Sequence, residues 1–86
     1  MVTFNYTITD EVGIHARPAG ILVQEAKKYS SATITVKTAK GSADARKLLA
    51  IMSLGVKQGD EVTVEVSGED EEAVAKAIQT FFENNL

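Results

Sequence analysis

Three stretches of this chain alternate apolar and polar residues with a period of two. Val2, Phe4, Tyr6 and Ile8 share one face of a run over residues 2–9, with Thr3, Asn5, Thr7 and Thr9 on the other. Residues 32–37 repeat the pattern with β-branched side chains, and Val62, Val64 and Val66 repeat it against Thr63, Glu65 and Ser67. A strand patterned in this way buries one face only, so the fold must supply a layer to cover that face. A chain of 86 residues buries roughly 60–65% of its unfolded surface, enough for one small core. The reading is a single domain over residues 1–86.

The covering layer comes from the segments between the strands, where the period changes. Ala19, Leu22, Val23 and Ala26 recur at three and four, the stripe of an amphipathic helix over residues 16–28. Gly20 lies inside it at a cost of about 1 kcal/mol relative to Ala; its missing side chain either lets a partner surface approach closely or is neutral drift. Residues 38–41 supply a turn into a short third strand over 42–45, whose small side chains suit a sheet edge. Residues 47–54 form a second helix, stopped by Gly55. It holds five large apolar residues, Leu48, Leu49, Ile51, Met52 and Leu54, too many for one buried stripe on two turns, so some must face solvent. In the last helix Val74, Ala77, Ile78 and Phe81 form the buried face, with Phe82 beside them. The acidic run 69–72 sits where the helix dipole favours negative charge. Adjacent carboxylates point around a helix and do not converge on a metal. The order β-α-β-β-α-β-α predicts an α+β two-layer sandwich with three helices on one face of the sheet.

Composition narrows the chemistry. There is no cysteine, hence no disulfide framework and no thiolate ligand or nucleophile. No apolar run approaches the eighteen or so residues of a membrane span, and the start is not a signal peptide, so the chain reads as cytoplasmic. A net charge of −3 argues against nucleic-acid binding, which needs a basic face. The charge is uneven: residues 68–79 carry four acids and one lysine, whereas Arg17, Lys27, Lys28, Lys37, Lys40, Arg46 and Lys47 lie in the first half or just past it. Gathered around one site they would suit an acidic protein partner, although Lys37 and Lys40 read as solvated side chains. The chain has no Walker-type glycine loop, no paired histidine ligands for a metal, and no serine or cysteine beside a second base. No cofactor is implied, and a complete hydrolytic or kinase apparatus is missing.

What remains is residues 13–19, Gly-Ile-His-Ala-Arg-Pro-Ala, with the only histidine and the only proline of the chain. A lone histidine in a small domain is in general an ordinary surface residue. Here it falls where the first strand pattern gives way to the first helix. A helix N-terminus offers free amides and partial positive charge to an anion, and Pro18 fits the first turn because it has no amide to leave unpaired. An imidazole at that point, with the Arg17 guanidinium two residues on, can take up a phosphoryl group whose charge meets amides and Arg17. Neutral imidazole is the attacking species, and both features oppose its protonation. One nucleophile in an anion-stabilising surround is the inventory of a group carrier acting between enzymes.

This stretch resembles the active-site signature of the HPr family, the histidine-containing phosphocarriers of the bacterial phosphoenolpyruvate:sugar phosphotransferase system. Residues 51–56, Ile-Met-Ser-Leu-Gly-Val, followed by Gly59, resemble the second-helix region of the same family, and the likeness runs from about Phe4 to Phe82. The resemblance implies an antiparallel four-stranded sheet in the order 1-4-2-3. It implies that His15 is phosphorylated at Nδ1 by phospho-enzyme I and donates to IIA domains of sugar permeases, with Arg17 neutralising the phosphate and Ala16 and Arg17 offering backbone amides. Leu48, Leu49 and Met52, with Ala16 and Gly20, fall where the family docks its partners. The chain is expected to act as a monomer. It departs from the family at residue 47, where many members carry a serine that an ATP-dependent kinase modifies. Lys47 cannot accept that group, so HPr kinase and a transcriptional regulator reading the seryl-phosphate form are not expected as partners. Two other readings stand beside the carrier: a docking module of the same fold that transfers nothing, and an acylphosphatase-like enzyme. The latter needs an asparagine to orient water, and Asn5, Asn84 and Asn85 are poorly placed for it.

Overall fold

In the computed structural model, which describes residues 1–14 and 16–86, the elements run β1 (Val2–Thr7), α1 (Ala16–Lys27), β2 (Ala32–Thr38), β3 (Gly41–Asp44), α2 (Leu48–Ser53), β4 (Glu61–Gly68) and α3 (Glu71–Asn85). The four strands form one antiparallel sheet in the order β1-β4-β2-β3, the order the family resemblance implied. Val64 stands opposite Phe4 on one side and Val36 on the other, so the apolar sets of three strands fall in one row. A one-residue slip would turn that whole set to solvent, which fixes the register.

The apolar face is covered by the three helices. Ile34, Val36, Val62, Val64 and Val66 are fully buried from the sheet side, and Leu22, Ile51, Ile78 and Phe82 from the helices. Phe82 is the hub of this layer. The rings of Phe4, Tyr6 and Phe81 meet it edge to face, with centroids 6.0, 5.6 and 6.2 Å away, the arrangement that ring quadrupoles favour. The opposite face of the sheet presents polar side chains, among them Thr3, Asn5, Glu65 and Lys37. There Thr63 Oγ1 donates to Asn5 Oδ1 at 2.8 Å and Lys37 pairs with Glu65 at 3.0 Å.

Several boundaries differ from the sequence reading. β1 ends at Thr7 rather than Thr9, its last ladder partner being Glu61, although Ile8 still bonds across to Asp60 and Gly59. Ile8 still enters the core, at 1% exposure. β3 spans Gly41–Asp44 rather than 42–45, and it is an edge strand, as its small residues indicated. On α3 the buried alanine is Ala75, while Ala77 is half-buried. The helix packs against both β1 and β4, which turns the stripe onto residues 74, 75, 78, 81 and 82.

Arg46 explains how the α1–β2 connection is held. Its Nη2 donates to the carbonyl oxygens of Tyr29 (2.6 Å) and Ala32, the first of which also accepts from the Ala32 amide at 3.0 Å. Asp44 Oδ1 accepts from the Arg46 amide at 2.8 Å and holds the arginine backbone in place. Hydrogen bonds from a charged donor contribute about 1.5–3 kcal/mol. Arg46→Ala is therefore expected to destabilise the fold by about 2–3 kcal/mol, read as a lower midpoint in urea with an unchanged slope. A loss below about 0.5 kcal/mol, the size of an ordinary surface change, would show that water replaces the guanidinium at no cost.

Candidate functional site

The segment that leads to residue 15 is built as a turn with few free choices. Asp10 Oδ1 accepts from the Val12 amide at 2.8 Å, and the Asp10 carbonyl from the Gly13 amide at 3.0 Å, a local side-chain-to-backbone closure typical of aspartate. Gly13 has φ +78, and a Cβ added there would lie 2.3 Å from the Val56 oxygen and 2.7 Å from Lys57 Cα. No residue with a side chain fits. The next amide, Ile14 N–H, donates to that same Val56 oxygen at 3.1 Å, and the Ile14 side chain is buried.

The turn is also fastened from two other directions. Ile8 N–H donates to the Asp60 carbonyl at 2.9 Å, Gly59 N–H to the Ile8 carbonyl at 2.8 Å, and Gln58 Nε2 to the Thr9 carbonyl at 3.2 Å. From the end of α3, the Leu86 oxygen accepts from the amides of Thr9 (2.6 Å) and Asp10 (2.8 Å) and from Thr9 Oγ1 (3.1 Å). The segment before α1 is thus anchored to the α2–β4 connection and to α3.

His15, named from the sequence as phosphoryl acceptor, lies outside the described residues; it is bonded to Ile14 and to Ala16, the first residue of α1. Ala16 and Arg17 are exposed, and Pro18 and Ala19 turn into the core. Arg17 lines a shallow depression of about 260 Å³ with Asp10, Pro18, Ile21 and Asn85. Gly20 is half-buried, and an added Cβ would meet no atom within 4 Å. On α2, Ile51 and Leu54 enter the core while Leu48 (39% exposed), Leu49 (78%) and Met52 (39%) face solvent. α2 packs on α1. Ile21, at 42%, and Val12, at 64%, add exposed apolar surface that the sequence reading left unassigned.

The basic residues do not gather. Arg46 is spent on carbonyls beyond the C-terminal end of α1, Lys28 pairs with Glu25 at that same end (3.0 Å), and Lys37 pairs with Glu65 on the sheet. That end of α1 is about 18 Å from Ala16 by the rise of a twelve-residue helix. Lys40, exposed as expected, also donates from Nζ to the Gly55 carbonyl at 3.2 Å, at the C-terminal end of α2. Nearness in sequence was the signal, and the folded path disperses it. The cation that sequence reading passed over is Lys57, whose backbone lies directly against Gly13. Only the close approach at Gly13 reveals it. Among the described residues no group of His, Cys, Asp or Glu could hold a metal ion, and no helix is long and apolar enough to cross a membrane.

Lys47 is the N-cap of α2, with φ −112 and ψ 104 and no side-chain capping bond. Asp44, which stands just upstream, bonds the Arg46 amide instead. Ser53 donates back to the Leu49 carbonyl at 2.7 Å inside the helix. An N-cap serine would satisfy an amide that lysine leaves free, and would remove positive charge from the positive end of the helix. Lys47→Ser is expected to raise stability by about 0.5–1 kcal/mol, seen as a higher thermal midpoint. An unchanged or lower midpoint would show that the short helix gains nothing from a cap.

Comparison with known proteins places these features in a family. Residues 2–84 match the family model described as the PTS HPr component phosphorylation site. The phosphocarrier protein HPr of Lysinibacillus sphaericus is 42% identical over 80 residues, covering 93% of this chain and 90% of the relative. That of Mycoplasma genitalium is 39% identical and covers 99% and 97%. Among solved structures, a Mycoplasma histidine-containing phosphocarrier protein superposes with a TM-score of 0.91 at 32% identity, covering 96% and 93%. HPr of Thermoanaerobacter tengcongensis gives 0.90 at 38%, covering 98% and 93%.

Proposed function

The chain belongs to the HPr family of phosphocarrier proteins, and from that premise we propose that His15 is the residue on which it carries the phosphoryl group. The observation that supports this is the place of the chain's single histidine, one bond ahead of Ala16 at the start of α1 and directly after the pinned pair Gly13–Ile14. The Nδ1 lone pair of the neutral imidazole attacks phosphorus as the bond from phosphorus to enzyme I breaks. In the second transfer an acceptor on a IIA domain attacks, and the electron pair of the N–P bond returns to the imidazole. Each step exchanges one bond to phosphorus for another, so the chain is regenerated. Arg17 is the neutralising group: exposed on the first turn, its planar fork can hold two phosphoryl oxygens. The first-turn amides of α1 add partial positive charge.

Incubation with enzyme I and phosphoenolpyruvate followed by intact-mass measurement tests the reading. One added phosphoryl group, labile in acid, stable in base and absent from His15→Ala, is the expected result. An acid-stable adduct, or one that persists in His15→Ala, would overturn it.

Partner docking falls to Leu48, Leu49 and Met52, with Ala16 and Gly20 on the facing helix. Three exposed apolar residues on a six-residue helix are surface that water alone does not favour, and a protein partner removes them from it. Leu49→Ala is expected to weaken enzyme I binding while shifting stability by less than about 0.5 kcal/mol. Ile51→Ala, one buried residue away, should cost about 2–5 kcal/mol. A Leu49→Ala melt that resembles that of Ile51→Ala would make Leu49 a core residue and not a docking one. Regulation through a seryl phosphate at the start of α2 has no acceptor at Lys47, so the proposed role is transport alone.

A further inference from the structure

Lys57 was not among the basic residues that the sequence placed near the site, and the fold puts it there. Its Cα lies against Gly13, closely enough that a Cβ on Gly13 would come within 2.7 Å of it. Its own backbone is held: the Lys57 amide donates to Asp60 Oδ2 at 3.0 Å, and the Lys57 carbonyl accepts from the Asp60 amide at 3.0 Å. The turn it opens is fastened to residues 8 and 9 by Gly59 N–H and Gln58 Nε2. The side chain is exposed, and among the described residues Lys57 forms no ion pair, whereas Lys28 and Lys37 do and Lys40 bonds a carbonyl. Asp60, the nearest carboxylate in sequence, is engaged by the Lys57 backbone rather than by its ammonium.

A lysine stem is long and flexible, and its ammonium is a compact point charge. Rooted against Gly13, it starts two residues from His15, on the wall of the turn formed by the α2–β4 connection. Arg17 approaches from α1. Resting on the carrier reading above, we propose that Lys57, held beside Gly13, acts with Arg17 as a second cation for the phosphoryl group. Other charges about this turn are Asp10, Glu11 and Asp60. Asp10 and Asp60 each bind a backbone amide and are fixed in place, so they form a constant background when Lys57 alone is changed.

The test is a charge series at one exposed position: Lys57→Arg, Lys57→Gln and Lys57→Glu, with His15 titrated by NMR in the unphosphorylated protein at low salt. The imidazole pKa should match the parent in Lys57→Arg, rise in Lys57→Gln, where one positive charge is lost, and rise further in Lys57→Glu, where the sign is reversed, with the differences shrinking as salt is added. The phosphorylated forms, followed by phosphorus NMR, should lose the group faster in the same order. A structural role at residue 57 would not sort variants by charge. Equal imidazole pKa values across the series would overturn the role of Lys57 while leaving the carrier reading intact. Failure of the parent protein itself to take up phosphoryl from enzyme I would instead sink the carrier reading.

Discussion

Everything on the functional side of the molecule depends on one close approach: the backbone of Gly13 against Val56 and Lys57. β1 and β4 are neighbours in the sheet, so the connection leaving β1 and the connection entering β4 emerge side by side. Paired amides and carbonyls at Ile8, Gly59 and Asp60 extend that neighbourhood past the strand ends, and the Val56 oxygen receives Ile14. The segment that starts α1 is therefore positioned by sheet pairing continued into loops. A side chain at residue 13 would separate the two connections, and φ +78 would strain any residue other than glycine. A carrier must present its group to two different proteins in one geometry, and a pinned loop delivers that without a lid or a cavity.

The second helix shows the opposite economy. α2 has six residues, no side-chain cap and a lysine at its positive end, and isolated helices of that length do not persist in water. What retains it is tertiary: Ile51 and Leu54 in the core, packing on α1, and Lys40 at the Gly55 carbonyl. Leu49, at 78% exposure, adds little to that retention. A short helix held by two core residues while Leu48, Leu49 and Met52 keep exposed surface is retained by its neighbours and not by its own propensity.

The strands were legible because each buries a single face, which makes the period of two strict: every apolar position of β2 and β4 lies in the core. The alternation extends β1 to Thr9, whereas the regular ladder ends at Thr7 and Ile8 bonds across to Gly59 and Asp60 outside the strand. Strand order came from the family likeness alone, since periodicity carries no information about which strands are neighbours. On α3, Ala75 and Ala77 are equivalent to any apolar count, and only the angle at which the helix crosses β1 and β4 chooses between them. The site was legible as a motif at Gly13–Ala19. Its surroundings were not, because Leu86, Gln58 and Lys57 reach it from distant parts of the sequence.

The charges show the same limit more sharply. Seven cations in the first half of the chain or just past it suggest a basic field, yet the fold gives Arg46, Lys28, Lys37 and Lys40 local partners. A cation already bonded to a carbonyl or a carboxylate adds little to the field felt elsewhere, particularly beyond a screening length of about 10 Å. Among the described residues Arg17, at the start of α1, and Lys57, beside Gly13, form no ion pair, so less of their charge is offset close by.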